Sequence, residues 1–151
     1  IRTDEAAEIL DAYFVAFPNV HAYMDRTVAE AKTRGYTETL FGRRRRIPEL
    51  ENANFRIRQA GERQAMNAAI QGLAADIFKI ALVRIDALLE KGNFQSRIVL
   101  QVHDEVIVEV VESEREVVGP LVLDTMRGAA ELSVPFEVHA AWGATWAAAK
   151  G

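Results

Sequence analysis

Ile98-Val99-Leu100-Gln101-Val102-His103-Asp104-Glu105-Val106-Ile107-Val108-Glu109-Val110-Val111 is the stretch on which the fold turns. Val and Ile crowd both of its ends, and such β-branched residues favour extended backbone. Only His103, Asp104 and Glu105 separate the two runs. The pattern predicts an antiparallel hairpin, Ile98–Val102 with Val106–Val111, closed by a tight turn. Turns of this kind ordinarily select Asn-Gly or Asp-Gly, which tolerate positive φ; here the bend is given to ionisable groups. Strands on both sides would hold the Asp104 carboxylate on rigid backbone, and a hard oxygen so held suits Mg²⁺. Taken alone, the tripeptide reads more readily as a solvated polar turn.

Helices flank the hairpin. Upstream, the segment from about Asn54 to Lys91 has helical spacing, with Gly72 as a weak point that allows one helix or two. From Leu73 to Leu89 it is apolar almost all round, which predicts a helix sheathed by protein on several sides, stopped by Gly92. Downstream, Ser113-Glu114-Arg115-Glu116 reads as a capping box opening a helix with Val117, Val118, Leu121, Val122, Thr125 and Ala129 inward. Pro120 should kink or restart it. Phe136, Val138, Ala140 and Trp142 alternate with Glu137, His139 and Ala141, predicting a last strand with one buried face.

The N-terminal third predicts two more helices and a short hairpin. Thr3 is a plausible N-cap for a helix with Ala6, Ile9, Leu10, Tyr13, Phe14 and Phe17 on a buried face. Pro18 suits the first position of a second helix, with Val20, Tyr23, Met24, Val28 and Ala31 inward and Gly35 as a left-handed stop. Tyr36–Leu40 and Arg43–Arg46 read as paired strands around Phe41-Gly42, ended by Pro48. Helices, an antiparallel hairpin, a helix and a strand make the fold class α+β.

The 151 residues are about one domain's length, half apolar and 26% charged, which excludes a disordered tail. The absence of cysteine excludes thiol catalysis, thiolate zinc and disulfides, and points weakly to the cytoplasm. No apolar run spans a bilayer, so no membrane partner is expected. The chain starts at Ile1 rather than Met, as a piece of a longer one would. Net charge is −4 but unevenly spread. Residues 32–63 hold nine Lys and Arg against four Asp and Glu, and residues 101–137 hold two against nine. A basic band beside an acidic one suits a polyanion in one place and cations in another, or simply two solvated faces.

Two further groups bear on chemistry. Arg63, Asn67 and Gln71 stand at i, i+4 and i+8, so on a helix they share a face. Such a row can donate to the N3 and O2 acceptors of a minor groove without reading sequence, and it is equally an ordinary polar face. In Arg43–Arg46 alternate side chains of a strand point to opposite sides, so only two, such as Arg44 and Arg46, reach one phosphate-bearing partner. His21 and His139 have no ligand spacing to His103 and read as surface residues.

In order along the chain come Gly35-Tyr36, Thr39-Leu40, Gly42-Arg43-Arg44-Arg45, Glu62-Arg63, Asn67, Gln71-Gly72, Ala74-Ala75-Asp76-Ile77, Lys79 and Gln101-Val102-His103-Asp104-Glu105. Together they resemble the C-terminal part of the polymerase domain of family A DNA polymerases. The resemblance implies a DNA-directed DNA polymerase in which residues 1–53 end the fingers and residues 54–151 form the C-terminal part of the palm. It implies that Asp104 binds Mg²⁺, with Glu105 as its acidic catalytic neighbour and His103 close to the primer terminus. It places Arg63, Asn67 and Gln71, with the arginine hairpin, on a DNA primer–template duplex, and makes a deoxynucleoside triphosphate (dNTP) the other substrate. The family's other metal-binding aspartate and its triphosphate-binding helix lie upstream, so the isolated chain is expected to be inactive. Where Ala69 stands the family usually carries proline, whose loss would let two helices merge. The alternatives are a non-catalytic nucleic-acid-binding module and a structural fragment.

Overall fold

The computed structural model describes residues 2–150. The chain forms two compact units, one up to Leu73 and one from Ala74.

The first unit holds α1 (Thr3–Ala16), α2 (Pro18–Arg34), β1 (Tyr36–Glu38), β2 (Arg44–Arg46), a 3-10 turn (Pro48–Glu51) and the start of α3 (Phe55–Lys91). The cap of α1 is Arg2 rather than Thr3, and the Arg2 N–H donates to Glu5 Oε2 at 3.0 Å. Pro18 opens α2, and Gly35, at φ 75°, closes it by donating its N–H to the Ala31 carbonyl. A Cβ is unfavourable at that φ, so glycine suits the position. Ala31, Ile47, Leu50 and Ala65 form the core of this unit, with Val28 against them. The expected burial of the α1 face does not occur: no residue of α1 is buried, and Ile9, Leu10, Tyr13 and Phe17 stay largely exposed. Within the unit α1 lies against α2, and one helix cannot cover so wide an apolar stripe. Its rings pack on each other instead, Tyr13 5.0 Å from Phe17 and Phe14 4.5 Å from His21.

β1 and β2 pair antiparallel, Tyr36 with Arg46, Thr37 with Arg45 and Glu38 with Arg44. The turn begins earlier than Phe41-Gly42 suggested. The Gly42 N–H donates to the Thr39 carbonyl at 2.9 Å, and Gly42 takes φ 82°. This is the three-residue hairpin loop that ends in a left-handed glycine. α3 runs unbroken for 37 residues, as the exchange of proline for Ala69 implied. Gly72 does not interrupt it. A Cβ there would meet Thr39 Cγ2 at 2.7 Å, so the missing side chain lets hairpin and helix close on each other.

The second unit holds the rest of α3, then β3 (Arg97–Val102), β4 (Glu105–Glu109), a 3-10 turn (Glu112–Glu114), α4 (Arg115–Arg127) and α5 (Trp146–Lys150). α3 ends at Lys91, directly before the predicted stop at Gly92. Asn93, not Gly92, takes the left-handed conformation at φ 52°. Phe94 and Asn93 donate their N–H groups back to Leu89 and Glu90, the two-bond helix ending that satisfies the last carbonyls. Ile85, Leu89 and Val118 form the core, with Phe94, Ile98, Val106, Val108, Val110, Val122 and Met126 packed against it. α3 is not sheathed all round here, since Val83 is 70% exposed. β3 and β4 pair antiparallel, with a register shift between Ile98 and Leu100.

Two further expectations fail here, and a third is narrowed. The Ser113–Glu116 capping box is absent, because α4 starts at Arg115 with Glu114 as its cap, which leaves Ser113 outside the helix and Glu116 one position short of the box; the Glu114 carboxylate is engaged by Gln95 and Ser96. α4 continues through Pro120 rather than restarting, with Val118 buried and Val117 55% exposed. Residues 136–142 form no strand. Of the face the alternation predicted, Phe136 and Val138 are half-buried while Ala140 and Trp142 are exposed; among the described residues no strand pairs with this stretch, and alternation without a ladder is not a strand. The α+β class stands, built on two small antiparallel hairpins. Among the described residues no helix is long and apolar enough to cross a membrane.

Candidate functional site

The turn of the β3–β4 hairpin is tighter than a three-residue bend. Val102 pairs with Glu105, leaving His103 and Asp104 as its two central residues. Two-residue hairpins need positive φ at their first central position, usually from glycine. His103 meets the need itself, at φ 54°; histidine is among the few side chains that visit this region with any frequency. Its carbonyl accepts a hydrogen bond from Gln101 Nε2 at 2.7 Å, which braces the bend.

The two acidic residues of the tip differ. Asp104 is exposed, and among the described residues its carboxylate has neither hydrogen-bond nor ion-pair partner. Glu105 is held on both oxygens. Trp146 Nε1 donates to Oε2 at 3.3 Å, and Lys150 Nζ lies 3.1 Å from Oε1. The Lys150 ammonium also sits 5.0 Å from the centre of the Trp146 ring. Neither α5 residue was foreseen. Their i, i+4 spacing, which puts an indole and an ammonium on one helix face, was the available signal.

His103, Asp104 and Glu105 belong to the second unit; Arg44, Arg46, Arg63, Asn67 and Gln71 belong to the first. Because α3 is continuous, Arg63, Asn67 and Gln71 follow one another along a single face, and all three are exposed. Gln71 also lines a cavity of about 260 Å³ with Thr37, Arg43, Arg45 and Gly72. The strand divides its arginines. Arg45 turns towards α3 and donates from Nη2 to Gln64 Oε1 at 3.3 Å. Arg44 bonds to Glu38 through Nε at 2.5 Å and lies 4.9 Å from the centre of the Tyr36 ring. The Glu38 hydrogen bond, with that carboxylate's charge, pushes the Arg44 guanidinium above its ordinary value. Arg46 is exposed. Sequence spacing missed that Arg45 and Arg43 share a hollow with Gln71.

His21 and His139 lie at the surface, His21 3.8 Å from Asp25 and His139 3.4 Å from Glu137. Among the described residues no group of three or more His, Cys, Asp or Glu stands ready to hold a metal ion. Asp104 therefore offers a cation one carboxylate, and a complete Mg²⁺ shell needs more oxygens than that.

The model for DNA polymerase family A matches residues 1–148. The chain is 48% identical over 149 residues to DNA polymerase I of Mycobacterium tuberculosis H37Rv, covering 99% of this chain and 16% of that protein. It is 47% identical over 150 residues to DNA polymerase I of Streptococcus pneumoniae TIGR4, covering 99% and 17%. The chain thus spans about one sixth of the curated relatives it matches. Among solved structures, the POL domain of Pol1 from M. smegmatis in complex with DNA primer-template and dNTP superimposes with a TM-score of 0.96 at 44% identity, over 100% of this chain and 27% of that one.

Proposed function

This chain belongs to DNA polymerase family A, and from that premise we propose that it is the C-terminal portion of a DNA-directed DNA polymerase. Its reaction is nucleotidyl transfer: a primer 3′-hydroxyl attacks the α-phosphorus of a dNTP paired to a DNA template, and pyrophosphate leaves. The observation that carries this reading is the Asp104 carboxylate, exposed and unpartnered on a two-residue turn between paired strands. Residues 1–53 end the fingers, and residues 54–151 form the C-terminal part of the palm. The cytoplasm is the proposed compartment.

Asp104 supplies one oxygen ligand to a divalent cation, Mg²⁺ in this reading, with the remaining ligands coming from upstream residues and substrate. Such a cation supplies charge stabilisation to the oxygens exchanging at phosphorus. The chain's other groups position. Arg63, Asn67 and Gln71 donate to acceptors that every base pair shows in the minor groove, which suits a polymerase that must grip any sequence. Arg46, and Arg44 once it exchanges Glu38 for phosphate, hold the backbone. His103 stands beside the primer terminus.

The test is a chimera in which these residues replace the matching segment of M. tuberculosis DNA polymerase I. It should extend primers with Mg²⁺ and all four dNTPs, and Asp104→Ala should abolish extension while duplex binding stays nearly intact. An unmodified chimera that binds duplex but does not extend, with Asp104→Ala leaving binding unchanged or slightly tighter, would identify a non-catalytic binding module instead.

A further inference from the structure

The turn bearing Asp104 is fixed from two sides, and one of them is the C-terminal segment. Trp142 is seated on α4: a Cβ at Gly119 would meet its Cζ2 at 2.9 Å, and the Arg115 guanidinium lies 4.6 Å from its ring centre. Gly143 follows, and a Cβ there would meet the Ala149 nitrogen at 2.5 Å and the Ala148 carbonyl carbon at 2.8 Å. The segment therefore lies directly against the backbone of α5. α5 in turn presents Trp146 and Lys150 to the two oxygens of Glu105. From Trp142 to Lys150 the chain forms a strap from α4 to the hairpin tip.

We propose that this strap holds the Glu105 carboxylate out of the cation site, so that Asp104 is the tip's sole ligand. Trp146 and Lys150 are then positioning residues for nucleotidyl transfer. Adjacent residues of a strand point to opposite faces, but Asp104 lies in the turn, and an unrestrained glutamate beside it has the length to swing towards a shared cation. Two carboxylates on one hard cation change its charge and its shell. An exposed ion pair such as Lys150–Glu105 is weak alone. The indole N–H on the second oxygen, and the ammonium stacked on that indole, close the three groups into one unit.

The inference rests on the polymerase reading, and the same chimera separates the two: extension by the unmodified chimera tests the reading, and the variants test the strap. Trp146→Phe with Lys150→Met should lower kcat, with KM for primer–template unchanged. The same pair in a Glu105→Gln background should cause no further fall, because the group the strap restrains no longer competes for metal. Without DNA or dNTP, Mn²⁺ should bind the strap variant more tightly than the parent, and Glu105→Gln should reverse the gain. Lys150→Arg should keep the parent values. Gly143→Ala, which displaces α5 without touching Glu105, should reproduce the double variant. Equal falls in kcat with and without the Glu105→Gln substitution, or unchanged Mn²⁺ affinity, would overturn the proposal, since a strap that merely stabilises the fold does not depend on that carboxylate.

Discussion

The Glu114 carboxylate closes on Ser96 with two bonds, accepting the backbone N–H at 2.9 Å and the hydroxyl at 2.6 Å. Its other oxygen accepts the Gln95 N–H at 2.9 Å, and Ser96 Oγ accepts the Val111 N–H at 3.0 Å. One side chain thus satisfies the backbone just before β3 and, through Ser96, the backbone just after β4. The Ser96 hydroxyl chiefly, and then the Gln95 N–H, hold the Glu114 carboxyl below its ordinary value of 4.5. A carboxyl depressed in the folded state stabilises fully above its unfolded value and loses that contribution as pH falls through the folded one. Thermal unfolding followed by circular dichroism should show the midpoint falling below about pH 4.5. Glu114→Gln should lower the neutral-pH midpoint and flatten the acid limb; an unchanged acid limb contradicts the assignment.

Burial separates residues that apolar character alone treats alike. Ile85 is fully buried and Val83, two positions away on α3, is 70% exposed. Ile85→Ala should cost about 2–5 kcal/mol, and Val83→Ala should stay within about 0.5 kcal/mol. Urea denaturation of both variants measures the difference, and equal losses would contradict the packing described.

Gly35 ends α2 at φ 75° with nothing within 4 Å of where a Cβ would lie. Steric crowding by neighbours is therefore absent, and Gly35→Ala carries only the backbone penalty, about 1–2 kcal/mol. A loss well above that in denaturant titration would mean that the cap does more than bend the chain.

Duplex binding by the chain should be weak and steeply salt-dependent, because neutralising phosphates releases counterions. Fluorescence anisotropy with a labelled duplex should show affinity falling between about 50 and 200 mM salt. Replacing Arg46 by Ala should flatten the logarithmic slope by about 0.9, since one phosphate is no longer neutralised. Asn67→Ala should weaken binding and leave the slope alone, since an amide neutralises no charge. An affinity indifferent to salt speaks against the basic strand as a phosphate surface.

Residues 1–151 on their own should not extend a primer with Mg²⁺ and all four dNTPs. Among the described residues they bring a cation one unpartnered carboxylate at the hairpin tip and no ready three-ligand group. Any primer extension by the purified chain sinks this expectation.

Local chemistry wrote most of the elements plainly. Pro18, Gly35 and the Val/Ile runs around His103-Asp104 act through neighbours in sequence, and the structure places helix starts, stops and the hairpin accordingly. The misreadings came where a residue's partner is distant along the chain. Ser113 and Glu116 looked like a capping box, but the helix begins a residue later, and Glu114 between them serves Ser96, eighteen positions away. The Phe136–Trp142 alternation looked like a strand and finds no ladder among the described residues. The stripe from Ala6 to Phe17 looked buried and has only one helix to lie against. At the candidate site, the exposed turn at Asp104 and the shared face of Arg63, Asn67 and Gln71 follow from type and spacing, while the roles given to these residues come from the resemblance. The grip of Trp146 and Lys150 on Glu105 does not follow from spacing, because it joins positions 41 residues apart.

His103 adopts its left-handed backbone without glycine's help, and that has a consequence for anyone wishing to make the hairpin more heat-resistant. Glycine at this bend would relieve about 1–2 kcal/mol of crowding, yet it would return about 0.5–1 kcal/mol through the looser unfolded chain. The balance leaves glycine ahead by about 0.5–1 kcal/mol. An imidazole rides at the apex of the ribbon at a net cost of about 0.5–1 kcal/mol, so a thermostabilising search that begins there gains that much and loses an aromatic ring.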